Sequence, residues 1–115
     1  MTAATGGKGD VLVASSNPAA RDALRYGHQA RPAAQTAAIR RAEYNKRLER
    51  PLPPEGTRER RWALENRAAY LKEVEGAEAE ARTLTERWAR AMDRLAENAP
   101  DELYDAVDAA VWGQD

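Results

Sequence analysis

Eight basic side chains crowd into residues 40–61: Arg40, Arg41, Lys46, Arg47, Arg50, Arg58, Arg60 and Arg61. The planar guanidinium fork matches phosphate and carboxylate oxygens. Tyr26 and Tyr44 could add stacking. This basic patch is therefore the first candidate site, with an anionic protein or a nucleic acid as its partner. Residues 17–48 have the order of a helix-turn-helix, with Gln35 and Thr36 near the start of the second helix. They hold almost no large apolar residue that could fix the crossing of two such helices.

Other constellations fall short of chemistry. Glu75 and Glu78 share a helical face at i,i+3 within the acidic run Glu73, Glu75, Glu78 and Glu80. Helical di-metal sites add Glu-x-x-His pairs from facing helices, and only one histidine exists here. His28 lies in Gly27-His28-Gln29-Ala30-Arg31, which reads as a solvated turn with no nucleophile or orienting carboxylate supplied by a motif. Gly6-Gly7-Lys8-Gly9-Asp10 has the wrong glycine spacing for a phosphate loop and no Ser/Thr after its lysine. The expectation is a protein without cofactor, metal or small-molecule substrate, and no enzyme.

The element that must position these residues is the stretch Thr57–Asn98. It reads as one long helix capped by Thr57, with a thin apolar seam. The seam carries Leu64, Leu71, Val74, Leu84, Trp88, Met92 and Leu95, with alanines 68, 77, 81 and 91 between them. From Val74 onward the spacing alternates three and four, the pattern that seats a partner helix. Gly76, and a capping-box sequence at Thr83–Glu86, are possible breaks. The seam keeps its phase through both, which favours continuity.

Before the long helix, Asn17-Pro18 is a helix start and Gly27 reads as its stop. Pro32 reads as the start of a second helix reaching about Leu48. Pro51, Pro53 and Pro54 then forbid helix and favour an extended linker. After it, Asn98 suits a left-handed stop, and Pro100 opens a last helix with Asp101 and Glu102 in its first turn. Leu103, Val107 and Val111 form its apolar face with Ala106 and Ala110. The short turn lets this helix fold back near Trp88, Met92 and Leu95. The expected organisation is an N-terminal arm (1–16), a basic helical pair (17–49), a proline-rich linker (50–56), and a long helix plus amphipathic C-terminal helix (57–115).

Composition agrees with an all-α, extended chain. Of 115 residues, 25 are Ala and only 15 are Leu, Ile or Val. That is below the roughly one-fifth at which a packed core becomes doubtful, so core borrowed from a partner is expected. The net charge of −1 hides an asymmetry: residues 1–61 carry net +6 and residues 62–115 carry net −7. The two halves could pair within a chain or head to tail between chains. Without cysteine, disulfides and thiolate metal sites are excluded. No apolar run approaches the roughly 20 residues of a membrane span, and no signal-peptide layout is present. A cytoplasmic protein, or one held within an assembled particle, is expected.

These features point to a non-enzymatic assembly or adaptor subunit. It would act by protein–protein contact, as a homo-oligomer or as a structural component of a particle such as a virion. The alternative is a small nucleic-acid-binding or regulatory protein using segment 40–61.

Overall fold

The computed structural model describes residues 17–113, so the expectations for the arm 1–16, including Gly6–Asp10, lie outside the described residues. Three helices follow one another: α1 (Pro18–Glu49), α2 (Arg58–Asn98) and α3 (Asp101–Trp112). The chain measures 66 × 27 × 16 Å. Its radius of gyration is 20.4 Å, against about 13 Å for a compact globule of this length.

The start of α1 follows the sequence signal. The Asn17 side chain accepts from the amides of Ala19 and Ala20 at 2.9 and 3.3 Å, and Pro18 occupies the first turn. The expected stop at Gly27 and restart at Pro32 do not occur. In place of a helical pair, α1 is one helix of 32 residues. A glycine stop needs φ > 0, and Gly56 alone takes that conformation among the described residues. Gly27 remains helical because two neighbouring helices close on it. A Cβ there would lie 2.4 Å from Val111 Cγ2 and 3.0 Å from Trp88 Cδ1. Pro32 removes the bond its N–H would have given to the His28 carbonyl, a defect of about 3 kcal/mol in an isolated helix. The helix runs on because packing holds both sides of the defect: Ala30 and Ala37 are buried. His28 and Pro32 are both exposed, so the freed carbonyl lies on the solvent side of the helix. His28 is thus an exposed helical residue and not part of a turn.

The long helix is continuous through Gly76 and Thr83–Glu86, 41 residues capped by the Thr57 hydroxyl accepting from Arg60 N at 3.1 Å. It packs antiparallel on α1, as the pairings Gly27 with Trp88, Arg41 with Glu78 and Arg47 with Tyr70 show. The inward stripe of α1 is Ala23, Gly27, Ala30, Ala34, Ala37, Arg41 and Tyr44, spaced alternately four and three. Small residues dominate it, so α2 approaches closely and each residue buries little area.

Two arginines bind the elements together through backbone carbonyls at helix ends. Arg67 of α2 donates to Arg47 O and Arg50 O at 2.8 and 2.7 Å, closing the end of α1. Arg31 of α1 donates to Val111 O at 2.8 Å, closing α3. The proline linker is held by Thr57 Oγ1 to Pro54 O (2.6 Å) and Arg60 to Pro53 O (3.1 Å).

Helix α3 folds back as expected, with Leu103, Val107 and Val111 buried. Its partners are wider than the sequence suggested. The core joins α3 to Met92 and Leu95 of α2 and also to Ala20, Ala23 and Leu24 of α1. The α2–α3 turn differs from the expected left-handed stop. Asn98 stays helical, its side-chain amide donating to Arg94 O at 2.7 Å, and the chain leaves through an extended Ala99 (φ −144°). One end of the molecule is therefore a three-helix core, and the rest is a two-helix hairpin ending in the proline loop.

Candidate interaction surfaces

The seam of α2 already has an occupant. Val74, Met92 and Leu95 are buried, and Leu71, Leu84 and Trp88 are half-buried. The partner helix is α1 of the same chain, joined at one end by α3. Leu64 is the exception, 46% exposed, because it lies opposite the proline loop beyond the end of α1. Trp88 packs edge-on against Trp112, ring centroids 5.5 Å apart at 72°. Both indole N–H groups are buried without an acceptor among the described residues.

Most of the basic patch lies toward the loop end of the hairpin, and three of its eight side chains are committed to the fold. Arg41 makes a bidentate pair with Glu78, Nε to Oε2 at 2.9 Å and Nη2 to Oε1 at 2.7 Å. These hydrogen bonds hold the Glu78 carboxyl below its usual range and raise Arg41 further. The Arg47 guanidinium lies 3.9 Å from the Tyr70 ring centroid. Tyr44 stacks on Tyr70 at 6.3 Å, so this ring is spent inside the hairpin. Tyr26, the other expected stacking ring, packs against the core at the far end. Arg60 is anchored on the linker. Lys46, Arg50, Arg58 and Arg61 remain exposed at the loop end.

The same end presents Trp62, which is 68% exposed, with Leu48 and Leu64 also largely in solvent. Of the two tryptophans outside the seam, Trp112 is packed and Trp62 is not. Arg58 and Arg61, a turn and a residue before Trp62, put cations beside the indole. Glycine 56, Thr57, Arg58, Arg60, Arg61 and Leu64 line a depression of about 530 Å³ there.

A second feature lies midway along the hairpin, an open groove of about 790 Å³. His28, Pro32 and Arg40 of α1 face Glu73, Glu80 and Leu84 of α2 across it. Its floor is alanine, and Gly76 opens into empty space, with nothing within 4 Å of where a Cβ would stand. Among the described residues, no three His, Cys, Asp or Glu side chains converge as a metal site would require. The i,i+3 carboxylates are separated in use, since Glu78 turns to Arg41. Farther along α2, Arg90 and Glu86 approach to 4.0 Å as a solvated pair.

The third surface is the outer side of α3, where Asp101, Glu102, Asp105 and Asp108 are all exposed. No helix among the described residues is long and apolar enough to cross a membrane. The chain matches no family model, no curated protein and no solved structure.

Proposed function

We propose that this chain is a non-enzymatic helical assembly or adaptor subunit that works by protein–protein contact through the loop end of its hairpin. One observation carries the reading: a tryptophan 68% exposed on a capped, continuous helix whose apolar seam is filled from within the chain. A large aromatic on a fixed backbone loses little conformational entropy on binding, and tryptophan is among the residues enriched at interface hot spots. Around Trp62 the exposed cations Arg58 and Arg61 form a charged rim. The subunit could serve within a larger particle, since the rod leaves its two ends and its groove available for neighbours.

Nucleic-acid binding by segment 40–61 keeps one observation in its favour, the indole of Trp62 beside Arg58 and Arg61, where a base could stack. Weighing against it, Arg41, Arg47 and Arg60 are engaged within the fold. Glu49, Glu55 and Glu59 also dilute residues 46–61 to net +3.

The test is site-specific photocrosslinking in the source cell. A benzophenone side chain in place of Trp62 is expected to capture a defined protein, and one at the exposed Ala79 to capture none. Adducts to nucleic acid at position 62, or equal capture at both positions, would overturn the reading.

A further inference from the structure

We propose that copies of this chain associate head to tail, the basic loop end of one molecule seated on the acidic outer face of α3 of the next. The proposal rests on the adaptor reading and names a second copy as the partner.

Both surfaces carry charges that make no ion pair among the described residues, and the loop end keeps net +3 over residues 46–61 despite Glu49, Glu55 and Glu59. Helix α3 contains four acidic residues and no basic one. Asp101, Glu102, Asp105 and Asp108 are exposed, and none makes an ion pair among the described residues. Arg25 of the neighbouring α1 is turned onto Asp22 and the Tyr26 ring and leaves that face to the carboxylates. At the other end Lys46, Arg50, Arg58 and Arg61 are exposed and equally without an ion pair among the described residues. The acidic run of α2 is a poorer seat, because Lys72, Arg82 and Arg40 lie among its carboxylates and Glu78 is taken by Arg41.

Geometry forbids the two surfaces from meeting in one molecule. They lie at opposite ends of a rod 66 Å long, whose α2 alone spans about 60 Å. At physiological ionic strength charges farther apart than about 8 Å are screened from each other. Only a second copy brings them together. Trp62 would lie on the α3 surface at Ala109, which is exposed and one turn from Asp105 on the helix. Arg58 and Arg61 then reach carboxylates on either side of the indole. The contact uses different patches on the two molecules, so it repeats from copy to copy and builds a chain unless the rotation closes a ring.

Light scattering on the full chain tests this. In about 20 mM salt the mass should rise with concentration above the 12.7 kDa monomer. It should return to the monomer in about 0.5 M salt, where the screening length falls to about 4 Å. Trp62→Ala should weaken association about tenfold. Two charge reversals, D101K/D105K/D108K and R58E/R61E, should each give a monomer with unchanged helical circular dichroism. Mixed in equal amounts, the two should associate again, because each supplies the charge the other lacks. A wild-type monomer at low salt, association that survives both reversals, or a mixture that stays monomeric would overturn the proposal. A wild-type monomer that instead binds a single-stranded oligonucleotide, and loses it in R58E/R61E, would overturn it in favour of nucleic acid. Retained capture of a different protein from position 62 in the D101K/D105K/D108K background would sink the head-to-tail contact and leave the adaptor reading standing.

Discussion

Two helix-interior glycines, changed identically, should move stability in opposite directions. Replacing Gly by Ala inside a helix stabilises by about 1 kcal/mol when nothing else changes. At Gly76 nothing else changes, since no atom lies within 4 Å of the new methyl. Gly76→Ala should therefore stabilise by about 1 kcal/mol. At Gly27 the methyl would meet both γ-carbons of Val111, at 2.4 and 2.8 Å, and Trp88 at 3.0 Å. Val111 is 1% exposed, and its β-branched side chain has one favoured rotamer, so it cannot turn aside. Either α3 shifts or α1 and α2 move apart. Overpacking of this kind typically costs about 1–3 kcal/mol. The propensity gain is common to both variants and cancels in their difference. That difference should be about 1–3 kcal/mol, or at least about 4 °C in thermal midpoint for a chain of this size. Thermal and urea unfolding followed by circular dichroism would measure it. Near-ultraviolet dichroism would report whether the Trp88–Trp112 contact has moved in Gly27→Ala. A Gly27→Ala variant stabilised as much as Gly76→Ala would show that the helices do not close at Gly27, and the three-helix core as described would be wrong.

Other consequences follow from the same contacts. Leu95→Ala, at a fully buried site where α1, α2 and α3 meet, should destabilise by about 2–5 kcal/mol in urea titrations. Glu78 titrates below its ordinary value in the native state because Arg41 hydrogen-bonds its charged form. Its native form therefore binds fewer protons than the unfolded one, and the stability it contributes is complete above about pH 4.3. That contribution is lost as pH falls toward the lowered native value, and Glu78→Gln should flatten the thermal midpoint over this interval. The raised Arg41 value adds no dependence there, since Arg41 stays charged throughout. Trp62→Ala should leave unfolding within about 0.5 kcal/mol of wild type, while shifting the tryptophan emission to the blue and reducing its quenching by acrylamide. Unchanged emission would mean that Trp62 is covered in solution.

Local structure was legible in the chain alone. The Asn17-Pro18 start, the Thr57 cap, the proline break and the apolar face of Leu103, Val107 and Val111 are short-range devices. Each depends on residues within a turn or two, so each was legible without a partner. Continuity of α2 was legible too, because seam phase is a property of the helix alone. The residues read as breaks in α1 were misleading for the complementary reason. A glycine ends a helix or admits a neighbour, and a proline starts a helix or sits within one. The choice depends on what lies against them, and for Gly27 that is Val111 and Trp88, more than sixty residues away. The inward stripe of α1 was hidden similarly, since alanine looks neutral in a pattern of large apolar residues until a close-packed helix shows it to be an interface. Charge followed the same division. The basic run could be counted from the sequence, but which cations are spent on Glu78 and Tyr70 emerges from the packing of α1 on α2. Those pairings join residues distant in the chain, and their geometry exists only once α1 has taken the seam.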